Sequence, residues 1–308
     1  MGKGPPRPDI EVGAYAKRPP PPPPPPLLEK WRPWLVPLIF AVNITTFVYT
    51  MYVNDCPANT GADKCLLYDL LERFSFQPLQ ENPVLGPSVV TLQHLGALDP
   101  VLIVKNGEAW RFFSCIWLHA GVVHLITNMA SLLFIGIRLE EEFGFLRIGL
   151  LYVISGFGGS LMSSLHRKPS ISVGASGALL GLLGSMLSEL LVNWTIYTNK
   201  CSAISTLLLV IGLNLALGFI PHVDNSAHIG GFISGLLLGF ILLMRPQYGY
   251  VNHRYIPAGY DIKTKSKHKC YQYLLLITAF IILIAGYIWG LATLYNGHRV
   301  QIPQNFNL

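Results

Sequence analysis

The chain of 308 residues is 51% hydrophobic and only 12% charged, and its mean hydropathy of +0.44 excludes a soluble domain of this size and points to a bilayer. The formal charge of +6 does not mark a nucleic-acid partner: in the seven-span arrangement below, 15 of the 22 lysines and arginines fall on one side, while the 16 acids divide evenly. A bias confined to Lys and Arg reports membrane orientation, with the N-terminus cytosolic and the C-terminus lumenal or extracellular.

Residues 1–33 hold eight consecutive prolines at 19–26 and no apolar core, so a disordered cytosolic tail without a cleavable signal peptide is expected. The proline run is either a ligand for a polyproline-binding domain or a solvated spacer. Apolar stretches at 34–53, 122–139, 146–165, 172–192, 202–220, 226–244 and 272–295 are each long enough to cross roughly 30 Å of hydrocarbon as a helix.

Between the first two lies a long outer loop, 54–121, whose "LLYDLLERFSFQPL" and turn-rich "NPVLGPS" predict short interfacial helices lying on the membrane. Cys56 and Cys65 in this loop fall on the oxidising side, as a disulfide or as two free thiols. Cys115 precedes the second span, and Cys201 and Cys270 fall at the cytosolic boundary, where Cys270 is a palmitoylation candidate. Residues 245–271 form a basic cytosolic linker, 272–295 a seventh span and 296–308 an outer tail. The other connections are short and require antiparallel neighbours, which predicts a six-helix core over 34–244 plus one appended helix.

Polar side chains inside spans are costly and each needs a reason. The second span opens with "HAGVVHLITNM", which puts His124 and Asn128 on one helical face. The fourth opens with "SVGASGALLG", carrying Ser176, and the sixth with "SAHIGG", carrying His228. All three spans run inward from the outer side, so these four residues share one shallow depth. A hydroxyl, two imidazoles and a carboxamide are the components of acyl transfer. Singly, each is more economically an interhelical hydrogen-bonder or an interface residue; together at one level they read as a site.

Gly177, Gly181 and Gly184 follow the serine, and Gly231, Gly235 and Gly239 follow the histidine. Small residues at such spacing let two backbones approach closely in lipid. A polar path for transport would instead place polar groups at the midplane. Asn43 and Asn214 are read as interhelical hydrogen-bonders, His119 as interfacial, and Glu140 as bracing the cytosolic end of the second helix.

These motifs resemble those of the rhomboid family of intramembrane serine proteases. "GASGALLG" resembles the family's GxSG nucleophile motif, "SAHIGGFISG" its AHxxGxxxG motif and "HAGVVHLITNM" its HxxxN element; "WRFF" and "RLEEEFG" resemble two further elements, and "RFSFQPLQENPVLGPS" resembles the plant and eukaryotic secretory-pathway branch. The resemblance covers about residues 34–244 and implies an all-α polytopic membrane protein with a six-helix rhomboid core and one additional C-terminal helix. It implies Ser176 as nucleophile and His228 as general base and acid, a dyad without a carboxylate. His124, Asn128 and the Ser176 amide would hold the oxyanion, with Gly174 shaping the hole.

Asp224, one turn before His228, is then a capping or surface residue. Trp110 and Arg111 are loop anchors, the guanidinium paired to phosphate or carboxylate. Many bacterial members carry an aromatic where this chain has Leu180. The resemblance implies no metal and no organic cofactor; the sequence also lacks HExxH and paired intramembrane aspartates. Expected substrates are single-pass transmembrane proteins, in a Golgi or plasma membrane. The alternative is an inactive relative that binds and escorts client proteins, although such relatives lose one or both catalytic residues.

Overall fold

The computed structural model describes residues 30–165, 171–194, 199–217, 224–246 and 268–300, excepting the side chains of 213–217 and 298–300. The proline run, most of the basic linker, residues 301–308 of the C-terminal tail and the Asn214 side chain lie outside these residues. The protein is an all-α polytopic membrane protein. Among the described residues, five helices are long and apolar enough to cross a membrane, and two shorter apolar helices lie at Ser176–Val192 and Lys200–Gly212.

The first helix, α1 (Leu35–Asn54), has no side-chain cap of its own. The cap comes from Glu140: its two carboxylate oxygens accept the amides of Trp34 (3.0 Å), Leu35 (2.8 Å) and Val36 (2.8 Å). A buried anion at a helix N-terminus satisfies orphan N–H groups and meets the positive end of the dipole. Glu140 therefore braces the start of the first helix, and not the end of its own as the sequence suggests. Asn43 turns back to the Ile39 carbonyl of its own helix at 2.8 Å, with the Tyr152 hydroxyl as its neighbour across the helix interface.

The outer loop carries α2 (Cys56–Thr60), α3 (Tyr68–Leu71), α4 (Val89–Leu95), α5 (Pro100–Asn106) and α6 (Arg111–Ser114). Ser88 caps α4, and Asp99 with Pro100 starts α5, as hydroxyl, carboxylate and N1-proline chemistry dictates. Cys56 and Cys65 are joined by a disulfide. Asn54, buried at the end of α1, accepts the Ser88 amide at 2.8 Å and the Thr91 hydroxyl at 3.1 Å, which ties the loop to the first span.

The second span is α7 (Val122–Ser131), a π turn at Leu132–Gly136 and α8 (Ile137–Phe143). The regular helix expected over 122–139 is thus interrupted by a wide turn, which resets the register between Asn128 and Glu140. Next come α9 (Phe145–Ser164), α10 (Ser176–Val192), α11 (Lys200–Leu217), α12 (Asn225–Leu242) and α13 (Cys270–Val300). The stretch expected to span from 172 is helical only from Ser176. The appended helix is longer than 272–295. Its Tyr287 hydroxyl donates to the Ile154 carbonyl of α9 at 3.0 Å, and Gln272 donates to the Val192 and Arg245 carbonyls at 3.1 and 3.0 Å.

The centre is α9, α10 and α12, which touch backbone to backbone. A methyl built on Gly231 would lie 2.0 Å from the Gly177 carbonyl oxygen, and one on Gly235 would lie 1.9 Å from that of Gly181. On the other side, a methyl on Gly159 would meet the Ala227 oxygen at 2.7 Å, and one on Gly230 the Gly158 oxygen at 2.6 Å. In hydrocarbon, where apolar burial gives little drive, such close approach supplies the dispersion contacts that hold helices together.

Candidate active site

The segment entering α10 is extended. Leu98 and Ser172 exchange backbone hydrogen bonds at 2.9 and 3.2 Å, and the Gly174 amide donates to the Cys115 carbonyl at 3.0 Å. Gly174 has φ +123, and a methyl there would sit 2.6 Å from His124 Cε1 and 2.8 Å from Nε2. Both the backbone conformation and the space require glycine. Asn128 Nδ2 is the next nearest atom at 3.6 Å. Gly174 is therefore the floor on which the His124 and Asn128 side chains converge.

Ser176 is the first residue of α10, after Ala175, which offers no side-chain cap. Its amide belongs to the turn whose N–H groups have no intrahelical acceptor, where the dipole favours negative charge. The side chain is half-buried. His228, 6% exposed, lies in the first turn of α12. The α10–α12 contact places Gly177, next to the serine, against Ala227 and Gly231, which flank the histidine.

No hydrogen bond joins Ser176 to His228 among the described residues, and the His228 Nδ1 and Asn128 Nδ2 atoms are buried without a partner. Catalytic hydrogen bonds of unliganded sites often tighten only around substrate.

Asp224 caps α12. Its Oδ1 accepts the Ala227 amide at 3.0 Å, and the Ser163 hydroxyl of α9 donates to its other oxygen. Arg111 is buried and fully engaged within the protein: Nε meets Glu108 at 2.6 Å and Nη1 donates to the Gln93 and Ala97 carbonyls at 2.7 and 2.9 Å. Its partner is a carboxylate and not a lipid phosphate. That hydrogen bond holds the Glu108 carboxyl below its usual range. Trp110, half exposed, lies against the guanidinium at 4.8 Å.

Leu180 is buried in the core. His119 is fully buried, not interfacial. Neither ring nitrogen makes a well-formed hydrogen bond among the described residues, and its ring packs against that of His124 at 5.3 Å. Among the described residues no group of three His, Cys, Asp or Glu side chains is arranged to hold a metal ion.

A family model described as Rhomboid domain matches residues 106–245. RHOMBOID-like protein 5 of Arabidopsis thaliana is 60% identical over 306 residues, which cover 98% of this chain and 97% of that protein. The chain belongs to the rhomboid family. RHOMBOID-like protein 6, mitochondrial, of the same plant is 52% identical over 271 residues, 88% of each chain. Inactive RHOMBOID-like protein 8 is 48% identical over 216 residues, 70% of this chain and 60% of that one. The rhomboid family works in the lipid bilayer on membrane-protein substrates, and this chain falls in its plant branch. The candidate-site residues legible from motifs alone are Ser176, His228, His124, Asn128 and Gly174. The roles of His119 and Glu140 within the fold depend on packing partners that the sequence does not name.

Proposed function

We propose that this rhomboid is an active intramembrane serine endopeptidase with Ser176 as nucleophile and His228 as general base and acid. The observation that carries the reading is the glycine contact between α10 and α12, which brings the two residues' first helical turns together beside His124, Asn128 and Gly174.

His228 takes the Ser176 proton as Oγ attacks the scissile carbonyl. The oxyanion develops against the Ser176 amide, the His124 ring and the Asn128 carboxamide. His228 then gives its proton to the leaving amine as the C–N bond breaks, leaving an acyl-enzyme. Water adds to the ester with His228 again as base, releasing the new carboxylate and restoring Ser176. Removing one oxyanion donor costs about 10²–10³ in rate in comparable sites.

Substrates are single-pass membrane proteins whose helices are weakened by Gly, Pro or polar residues near the cut, because a regular helix hides its peptide bonds. The membrane is one of the secretory pathway, with the site open to the outer side and the N-terminus cytosolic, in keeping with the Lys and Arg bias. The proline run at 19–26 is a candidate ligand for a polyproline-binding domain.

A fluorophosphonate probe tests the assignment: folded wild type should be labelled and Ser176→Ala should not. An unlabelled wild type sinks the protease reading and favours a client-binding role. Fluorescence imaging of a tagged chain tests the compartment, and mitochondrial signal overturns the secretory assignment.

A further inference from the structure

The helix that carries His124 begins without a cap of its own. Its N-cap residue is Gly121, with no side chain to accept from the first turn, so the amides of Val122 and Val123 would be orphaned. They are taken up by a distant strap. Val122 N–H donates to the Leu85 carbonyl at 2.9 Å and Val123 N–H to the Val84 carbonyl at 3.4 Å. The strap is the "NPVLGPS" stretch, and its shape is fixed by Asn82. Asn82 Oδ1 accepts the Val84 amide at 3.0 Å, while Nδ2 donates to the Pro87 and Ala120 carbonyls, both at 2.8 Å. One buried carboxamide thus closes the strap on itself and stitches it to the residue before Gly121.

Two glycines make the crossing possible. A methyl on Gly86 would lie 2.0 Å from the Ala120 oxygen, and one on Gly121 would lie 2.1 Å from the Val84 oxygen. Leu85 is held at φ +59, a conformation that a branched side chain keeps only when its surroundings over-determine it. Upstream, the Gln77 amide donates to the Gly86 carbonyl at 3.0 Å, and Leu66 and Phe76 pair by backbone hydrogen bonds at 2.9 and 3.1 Å. The strap is therefore continuous with the disulfide-closed segment at Cys56 and Cys65.

We propose that the strap, through Asn82 and Gly86, is the positioning device for His124: it caps the turn that carries the oxyanion donor and fixes where that imidazole stands over Gly174. This rests on the protease reading above. Asn82 and Gly86 act through His124, which lies in the capped turn, whereas Asn128 lies a full turn deeper in the same helix, beyond the capped amides.

The test is a double-mutant cycle on the full chain in proteoliposomes, read by fluorophosphonate labelling rate and by kcat and KM on a single-span substrate. Asn82→Ala and Gly86→Ala should each lower kcat and labelling by about tenfold or more, approaching the loss of one oxyanion donor, with KM unchanged. In a His124→Ala background the same substitutions should cost almost nothing further, while in an Asn128→Ala background they should keep their full effect. Glu81→Ala, on the exposed turn of the strap, should match wild type. If Gly86→Ala does not fold, Asn82→Ala, which leaves the backbone crossing without added bulk, carries the cycle. Losses that multiply fully with His124→Ala, or a change in KM alone, overturn the proposal. An unlabelled wild type overturns the protease reading itself, and so the two failures are told apart.

Discussion

Adding one methyl at Gly231 should disable the protein without unfolding it. The new Cβ would lie 2.0 Å from the Gly177 oxygen, 2.6 Å from its carbonyl carbon and 2.9 Å from its Cα, where ordinary contact begins at 3.4 Å. All three atoms are backbone, so no flexible side chain can swing away, and α12 must retreat from α10 by about 1 Å or more. Overpacking of this kind costs about 1–3 kcal/mol, which a multi-span bundle can survive. The functional loss should be larger, because the strained contact lies between the residue after Ser176 and the turn after His228; a misplacement of about 1 Å can cost on the order of 10² in rate. The assay is kcat on a fluorogenic single-span substrate in proteoliposomes, with folding followed by elution profile and melting temperature. Gly286→Ala, on the open face of α13 with nothing within 4 Å, is the control. Wild-type kcat for Gly231→Ala, or equal impairment by Gly286→Ala, would refute the close-approach reasoning.

Other outcomes follow from the same geometry. Glu140→Gln turns a carboxylate that accepts three amides into a group with donors facing donors; a loss of about 1–3 kcal/mol, seen as a lower melting temperature with KM unchanged, is expected, and an unaltered melt contradicts the capping role. Cys65→Ser opens a loop with a sequence separation of 9 and should cost about 2–3 kcal/mol by chain entropy; reductant should reproduce the loss in wild type and add nothing to the variant. Burial first, and then the neighbouring His124, holds His119 down to about 3 from 6.5. The unfolded chain therefore binds that proton first: stability is full above about pH 6.5 and declines as pH falls toward 3, by roughly 2 kcal/mol at pH 5. His119→Gln should flatten the fall in melting temperature between pH 7 and pH 5, and identical slopes would contradict the burial of a neutral ring.

Much of the candidate site is legible because its patterns are local. Ser176 within "GASG", His228 before a four-residue glycine repeat, and His124 with Asn128 at i, i+4 are short-range patterns whose geometry a helix fixes. The apolar stretches likewise announce spans by length alone. What stayed hidden depends on partners far along the chain. "EEE" at 140–142 shows three similar carboxylates, and only packing singles out Glu140 as the one facing the first helix. "NPVLGPS" reads as a turn, but nothing in it says that its carbonyls at Val84 and Leu85 cap the helix that begins at Val122. His119 looks interfacial because it ends the loop; its burial against the His124 ring depends on how the loop folds back on α7. The π turn at Leu132–Gly136 has no compositional mark, since an apolar run accommodates either helical register.

The most direct measurement of the central claim is cleavage of a purified single-span substrate by the reconstituted chain, comparing wild type with Ser176→Ala and His228→Ala and identifying the fragments by mass. Wild type should cut within or beside the transmembrane segment, and both variants should leave the substrate intact. The same fragments from all three proteins would contradict the Ser176–His228 mechanism.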